Sequence, residues 1–432
     1  MPKLRRGSAD RARPNLGPGY HKLWLAAAIS TLGDGVCLTA LPLLAATLSR
    51  DPLRVSLVAF ASWLPWLLFG LLSGALVDRW DRRRMMWTVD ACRFVVVGAL
   101  GVAVLAGWAS IPLLATIGFL LGSGQTLFDN AAQSLIPALV SRDTQRLERA
   151  NSQLYGAQTV GQNFAGPPAG GALFALAASV PFLADAVSFA ASSTLIATIR
   201  GSFAPQRPVG TAAEEPRASL RADIAEGLRW LVGHRLLRVL AVMVGMMNLA
   251  VMAGEAILVL FAQEELGLGS VGYGLLLAGF AVGGVLASLI ATQLSRRVGS
   301  GTLLVAVTFV EAAAWAVFGV GSNAWVGGAM LALVGGGSTV FNVVGVSLRQ
   351  AIVPDRLIGR VVSTQRMVGF GAVPVGALLG GVVGRTLGVR APFLLGAAIL
   401  TASGLLTLPV VNNRAIQAAR VAAGAAPSTS DA

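Results

Sequence analysis

Single acidic residues stand inside long apolar runs of this chain. In such surroundings a carboxyl group can bind and release a proton or face a cationic ligand. Asp34 is set in Gly33-Asp34-Gly35, about ten residues into the first apolar run. At 1.5 Å per helical residue that is about 15 Å deep, near the middle of a bilayer. The two glycines leave room for water or a ligand. Glu255 follows Gly254 in the seventh run, and Asp129 stands at the end of the fourth. A charge at the centre of a membrane helix costs roughly 2.5–3.5 kcal/mol on insertion scales, so each one needs a reason. For Asp34 and Glu255 the reading is a proton or substrate pathway, the alternative for Asp34 being a structural pairing with backbone or an arginine. For Asp129 a gating ion pair with a loop arginine competes with the pathway. Asp90 and Arg93 are three positions apart, share a helix face, and read as a supporting ion pair. Asp185 and Glu311 are secondary candidates. Asn248 and Asn342 suit cross-helix hydrogen bonds at least as well as ligand contact.

The runs decide what must hold these groups. Of 432 residues, 55% are apolar and 12% charged, and mean hydropathy is +0.71. Polar groups so scarce cannot cover a soluble fold of this length, which excludes an ordinary soluble enzyme, a disordered chain and a fibrous repeat. The 52 glycines have no collagen period and suit helices packed closely in lipid. About twelve runs reach the roughly 20 residues a bilayer requires. They cover 23–48, 55–77, 86–108, 111–133, 152–176 and 179–199, then 239–261, 271–293, 301–321, 325–346, 362–384 and 391–411. The architecture expected is an all-α integral membrane protein.

Charge fixes the expected orientation. With both termini in the cytoplasm, inner segments hold 27 of the 33 Lys and Arg residues, and outer loops hold four: Arg50, Arg54, Arg385 and Arg390. That bias follows the positive-inside rule and accounts for the net charge of +13 without nucleic acid. The first run is too long for a signal-peptide core and is kept as a span. Cys37 and Cys92 read as packing residues, and no Cys/His cluster has metal-ligand spacing.

The longest stretch between spans, 200–238, divides the runs six and six. It reads as a flexible linker followed by an amphipathic helix with Leu220, Ile224, Leu228 and Leu231 on one face. The expected order is a basic cytoplasmic tail (1–22), a six-helix bundle (23–199), the linker (200–238), a second bundle (239–411) and a disordered cytoplasmic tail (412–432). Residues 128–153 can be laid over 341–366, as an internal duplication requires.

Two motifs carry a resemblance. After the second span comes Gly74-Ala-Leu-Val-Asp78-Arg79-Trp-Asp81-Arg82-Arg83, and in the fifth stands Gly166-Pro167-Pro168-Ala-Gly170-Gly171. The first resembles the G-x-L-x-D-R-x-x-R-R loop of the major facilitator superfamily. The second resembles the G-P-x-x-G-G segment of its antiporters, with Gln162 where the family usually has glycine. Further stretches of 22–240 are similar to the enterobactin exporter and macrolide efflux branch.

The resemblance implies two pseudo-symmetric six-helix bundles rocking about a central cavity, with the sixth and ninth spans, and so Asp185 and Glu311, outside it. In this arrangement Gly74, Asp78, Arg79, Arg82 and Arg83 form a gating loop, and Gly166, Pro167, Gly170 and Gly171 an antiporter-type bend. The activity implied is secondary active export of a small organic molecule (drug, siderophore or secondary metabolite) coupled to protons. Import or uniport of a nutrient is the alternative, and a membrane-embedded enzyme or receptor a remote third. The setting expected is the cytoplasmic membrane of a bacterium, as a monomer, with membrane lipid, a small-molecule substrate and protons as partners. No cofactor, catalytic residue or metal is expected, and no P-loop is present, so ATP is not expected to drive transport directly.

Overall fold

The computed structural model describes residues 16–77, 79–140, 143–201, 203 and 220–424. Among them every regular element is helical. Helices α1 (Gly17–Leu48), α2 (Pro52–Val77), α3 (Arg82–Leu105) and α4 (Ile111–Val140) follow one another through short connections. The fifth crossing is composite, made of α5 (Thr144–Gln158), a π-helical stretch (Thr159–Ala165) and α6 (Gly166–Leu176); α7 (Val180–Ala197) completes the first half. After α8 (Leu220–Gly233) the second half begins with α9 (Arg235–Glu255) and its continuation α10 (Leu258–Glu264). It proceeds through α11 (Ser270–Val298), α12 (Ser300–Val320), α13 (Ala324–Ile352), α14 (Asp355–Leu387) and α15 (Ala391–Thr407), and α16 (Asn413–Gly424) follows.

Ten of the described helices are long and apolar enough to cross a membrane. The composite fifth crossing and the 17-residue α15 bring the crossings to twelve. Leu105, Leu176, Leu289 and Leu406 stand exposed on the outside of the bundle, as lipid-facing side chains do. The end of the bundle where α1 begins and α16 lies is called the tail face here, and the opposite end the far face.

Missing side chains let the helices meet. A Cβ on Gly166 would stand 2.5 Å from Cα of Gly35, and one on Gly35 would stand 2.6 Å from the Gln162 carbonyl. Helix α1 therefore nests directly against the fifth crossing. The π-helical stretch has a local cause. Pro167 and Pro168 have no N–H for the carbonyls one turn back, and the Gly166 N–H reaches Gly161 O, five residues earlier.

Between the halves, α2 packs along α14 and α6 along α11. Trp66 stacks on Phe370 at 5.3 Å, and Gly274 meets the Pro167 carbonyl. At the far face the halves are also tied by charge. Arg50 Nη1 donates to Gln263 Oε1 at 2.6 Å and stands 3.9 Å from Glu264, and Asp51 pairs with Arg385 at 3.7 Å.

At the tail face α8 is joined to α14 through the Glu226–Arg360 ion pair. Of its expected apolar stripe, Leu231 is buried and Leu228 exposed. The expectation of a disordered segment over 412–432 is corrected. Residues 413–424 form α16, because Asn413 Oδ1 accepts the Gly301 N–H at 2.9 Å, its Nδ2 donates to Val298 O at 3.1 Å, and Ile416 is buried. The basic tail is helical from Gly17 onward, anchored where Tyr20 donates its hydroxyl to Ala150 O at 2.7 Å. Residues 1–15, 202, 204–219 and 425–432 lie outside the described residues.

Candidate functional site

Four carboxylates from four helices converge on one cation, Arg93 of α3. They are Asp34 of α1, Asp90 of α3, Asp129 of α4 and Asp185 of α7. Arg93 Nη2 donates to Asp34 Oδ1 at 3.0 Å and to Gln125 Oε1 at 2.5 Å. The Gln125 amide passes the chain on to Asp129 Oδ1 at 3.0 Å. On the other side, Arg93 Nη1 stands 3.7 Å from Asp90 Oδ1, while Asp90 Oδ2 accepts from Ser192 Oγ at 2.5 Å. Asp185 Oδ1 accepts from Ser188 Oγ at 3.0 Å, and the guanidinium lies over the Phe189 ring at 4.3 Å.

Two glycines make the room. A Cβ on Gly124 would stand 3.0 Å from Arg93 Cδ, and one on Gly33 would collide with Asp185 and Ser188. The centre is buried, with the Arg93 side chain 5% exposed and that of Asp34 10%. In so poor a dielectric an unpaired charge is costly, so the pairing of Arg93 is the dominant local electrostatic fact. Asp34 Oδ2 and Asp185 Oδ2 have no hydrogen-bond partner among the described residues.

Asp34, Arg93, Gln125 and Asp185 form one wall of a central cavity of about 170 Å³. Glu255 and Tyr273 of the second half face them across it, and Trp63, Trp66, Met252 and Leu277 supply apolar lining. A second cavity of about 110 Å³ shares Glu255 and Leu277 and reaches Trp315. Glu255 is the last residue of α9. The helix breaks over Ala256 and Ile257 before α10 resumes, and interrupted helices of this kind build binding sites in transporters. Glu255 lines both cavities, and no ion-pair or hydrogen-bond partner engages its carboxylate among the described residues.

The structure thus brings Asp34, Asp90, Arg93 and Asp129 into one network and sets Glu255 across from it. One expectation is corrected. Asp185, expected outside the cavity, lines it, because the closely packed α1 and α7 direct it toward Cys37 and Gly33. The Asp90–Arg93 ion pair is present at 3.7 Å, and Arg93 makes a shorter contact of 3.0 Å with Asp34, while Asp90 is also engaged by Ser192. Asp129 accepts from Gln125 within the bundle, and Arg142 of the loop that follows α4 lies outside the described residues.

In the expected gating loop, Gly74 belongs to α2 and Arg79 sits exposed in the turn. Arg82 opens α3, and Arg83 Nη1 donates to Ile199 O at 2.5 Å, past the end of α7. Asp81 caps α3 through the Arg84 N–H at 2.9 Å and accepts the Phe203 N–H at 3.0 Å. Asp78 lies outside the described residues. The bend residues Gly166, Pro167, Gly170 and Gly171 are buried, Gly170 against Val36 and Gly171 against Ser270. Sequence reasoning missed Gln125 and Ser192. The first had a signal, since Gln125 and Asp129 stand one helical turn apart. Asn248 Nδ2 donates to Gly369 O at 2.9 Å, a cross-helix bond of the expected kind.

His234 caps α9 outside the membrane-spanning segment. Its Nδ1 accepts the Leu237 N–H at 3.4 Å and its ring stacks on Trp230 at 5.5 Å. Burial holds its pKa below the usual 6.5.

A bundle of twelve apolar crossings in two halves, with a charged, partly aromatic cavity between them, defines a polytopic membrane transporter. The chain belongs to the transmembrane secretion effector family of the major facilitator superfamily, whose match spans residues 15–426. It is 29% identical over 395 residues to the multidrug efflux pump Tap of Mycolicibacterium fortuitum, covering 85% of this chain and 90% of that one. It is likewise 29% identical over 422 residues to Tap of Mycobacterium tuberculosis, covering 91% and 93%. The fold is shared with a variant of the nucleoside transporter NupG, at a TM-score of 0.76 and 10% identity over 91% of this chain and 99% of that one. It is also shared with a bacterial homologue of the iron transporter ferroportin in an inward-facing state, at 0.72 and 19% over 90% and 98%.

Proposed function

We propose that the protein is a proton-coupled exporter in the cytoplasmic membrane of a bacterium, moving a small amphipathic organic molecule with a cationic centre outward by alternating access. The observation that carries this reading is the Asp34–Arg93 pair, which opens onto the central cavity with one carboxylate oxygen bare. While Asp34 is ionised, Arg93 holds it. When a proton binds Asp34 the pair weakens, and Arg93 retains Asp90 and Gln125 as partners. One centre therefore has two arrangements that a proton selects between. Across the cavity, Glu255 with Tyr273, Trp63 and Trp66 suits an organic cation, through charge and ring faces. The resemblance to pumps named for multidrug efflux supports export.

In this reading the tail face is cytoplasmic, both termini lie there, and the far-face ties of Arg50 and Asp51 make the conformation inward-facing. The bundles over 23–199 and 239–411 rock about the cavity, joined by the linker over 200–238. Asp78, Arg79, Arg82 and Arg83, with Gly74, form the tail-face gate, and the Gly166–Gly171 segment supplies the bend. A single chain carries the complete site.

Transport of ethidium into everted vesicles tests the proposal. Accumulation should collapse with a protonophore and fall at least tenfold in Asp34→Asn. Accumulation that ignores the protonophore would sink proton coupling, and uptake in the opposite sense would replace export by import.

A further inference from the structure

We infer that Glu311 is a second proton-binding carboxyl of the transport cycle, the counterpart in the second half of the Arg93 centre in the first. The inference rests on the proton-coupled reading above and adds a site to it. Arg93 stands eleven positions after Arg82, which opens α3, and Glu311 stands eleven positions after Ser300, which opens α12. Their contacts correspond as well. Arg93 packs on Gly124 and bonds Gln125, thirteen and fourteen positions after Ile111, which opens α4. Glu311 packs on Gly337 and bonds Ser338, thirteen and fourteen positions after Ala324, which opens α13. The same niche thus holds a fixed cation in one half and an acid in the other.

Among the described residues no cation pairs with that acid. Glu311 is 0% exposed; Oε1 accepts from Ser338 Oγ at 3.3 Å, and Oε2 has no hydrogen-bond partner among the described residues. Helices α11, α13, α15 and α16 pack along α12, and α9 and α10 meet its far-face end, where Gly254 lies against Trp315 and Phe261 against Phe318. Helix α9 carries Arg235 and Arg238 at its tail-face start and Glu255 at its end, and α10 ends on Glu264. Helix α15 carries no charged residue. Arg296 and Arg297 close α11, Arg414 and Arg420 belong to the tail-face helix α16, and Arg349 lies eleven positions beyond Ser338, about 16 Å along α13. Tyr273, the titratable group of α11, stands near its far-face end. A bare carboxylate in such a place is strongly disfavoured, so the group holds a proton in this state. One turn further along α12, Trp315 lines the cavity that Glu255 also faces. Opening along that wall would let the proton leave.

The test uses the full chain carrying Cys92→Ser, in which Cys37 on the cavity wall is the only thiol. Maleimide labelling of Cys37 from either face is followed against pH, without substrate. The labelling profile should contain a step that Glu311→Gln removes and Ser338→Ala shifts, while Asp34→Asn removes a different step. The infrared band of a protonated carboxyl should diminish in Glu311→Gln. A glutamine keeps the shape and the Ser338 contact, so a merely structural acid would leave the profile as it was. A profile altered by Asp34→Asn but untouched by Glu311→Gln and Ser338→Ala overturns this inference alone. A profile altered by Glu311→Gln but not by Asp34→Asn upholds it and removes Asp34 from its assigned role. Labelling indifferent to pH in the parent protein overturns both.

Discussion

Asp34 on α1 and Arg93 on α3 are fifty-nine residues apart in the chain and 3.0 Å apart in space, and both face the central cavity. The pair is buried, so removing one partner has a different cost from removing both. Arg93→Ala leaves several carboxylates without their cation and should destabilise the protein by about 3–5 kcal/mol. Asp34→Asn/Arg93→Ala should recover a measurable part of that loss, because one uncompensated acid has gone. Thermal unfolding in detergent across the double-mutant cycle reads the coupling. Strict additivity would mean that the two groups do not depend on each other.

The far-face ties predict a conformational effect. The Arg50–Glu264 and Asp51–Arg385 pairs are largely exposed, and each contributes about 0.2–1 kcal/mol. Arg50→Glu/Arg385→Glu reverses both and should shift the population several-fold toward a far-face-open state. Labelling of Cys37 by a membrane-impermeant maleimide from the far face, with Cys92→Ser in place, should speed up accordingly. Salt should produce a weaker version of the same change in the parent protein. Equal labelling rates in the variant and its parent would show that the ties do not hold the far face shut.

His234 gives a pH dependence that belongs to the linker rather than to transport. Its folded pKa lies below the unfolded value of 6.5. Its contribution to stability is therefore present above 6.5 and is lost as the pH falls below that value. The protonated ring can no longer accept the Leu237 N–H, so the α8–α9 junction should fray on acidification. Amide exchange at 235–238 should rise between pH 7 and pH 5, and His234→Asn, which still caps a helix, should remove the dependence. A flat exchange rate over that interval would contradict the capping role.

Much of the fold was legible because lipid imposes length and polarity on each crossing, and twelve apolar runs announce themselves. The composite fifth crossing was half legible. Pro167 and Gly166 predict a bend, but whether the slack is taken up as a kink or as a π-helical stretch depends on the neighbour, and that neighbour is α1 at Gly35. The break after Glu255 had no proline to mark it. At the site, sequence places an acid on a helix but not on a face toward another helix. Asp34, Asp90, Arg93 and Asp129 could each be picked out as buried charges. Their common centre could not be, because Asp34 and Arg93 belong to different helices. Asp185 was misplaced for the same reason. The symmetry of Arg93 and Glu311 emerges only once the starts of α3 and α12 are fixed, since the residues themselves are of opposite charge.

Glycine substitutions separate helix contact from helix propensity. Gly35 and Gly166 face each other across α1 and the fifth crossing, and a methyl on either would press on backbone that cannot yield cheaply. Gly35→Ala and Gly166→Ala should each cost about 1–3 kcal/mol by overpacking and reduce transport, because this contact couples α1, which carries Asp34, to the bend. Gly156 supplies the control. It is an exposed glycine of α5 with nothing within 4 Å of an added methyl group. Gly156→Ala should therefore raise stability by up to about 1 kcal/mol, as alanine replaces glycine inside a helix, and leave transport unchanged. Unfolding temperature and ethidium transport, measured on all three variants, keep the two effects apart. If Gly166→Ala proved as harmless as Gly156→Ala, the close approach of α1 to the fifth crossing would not be what holds Asp34 in place.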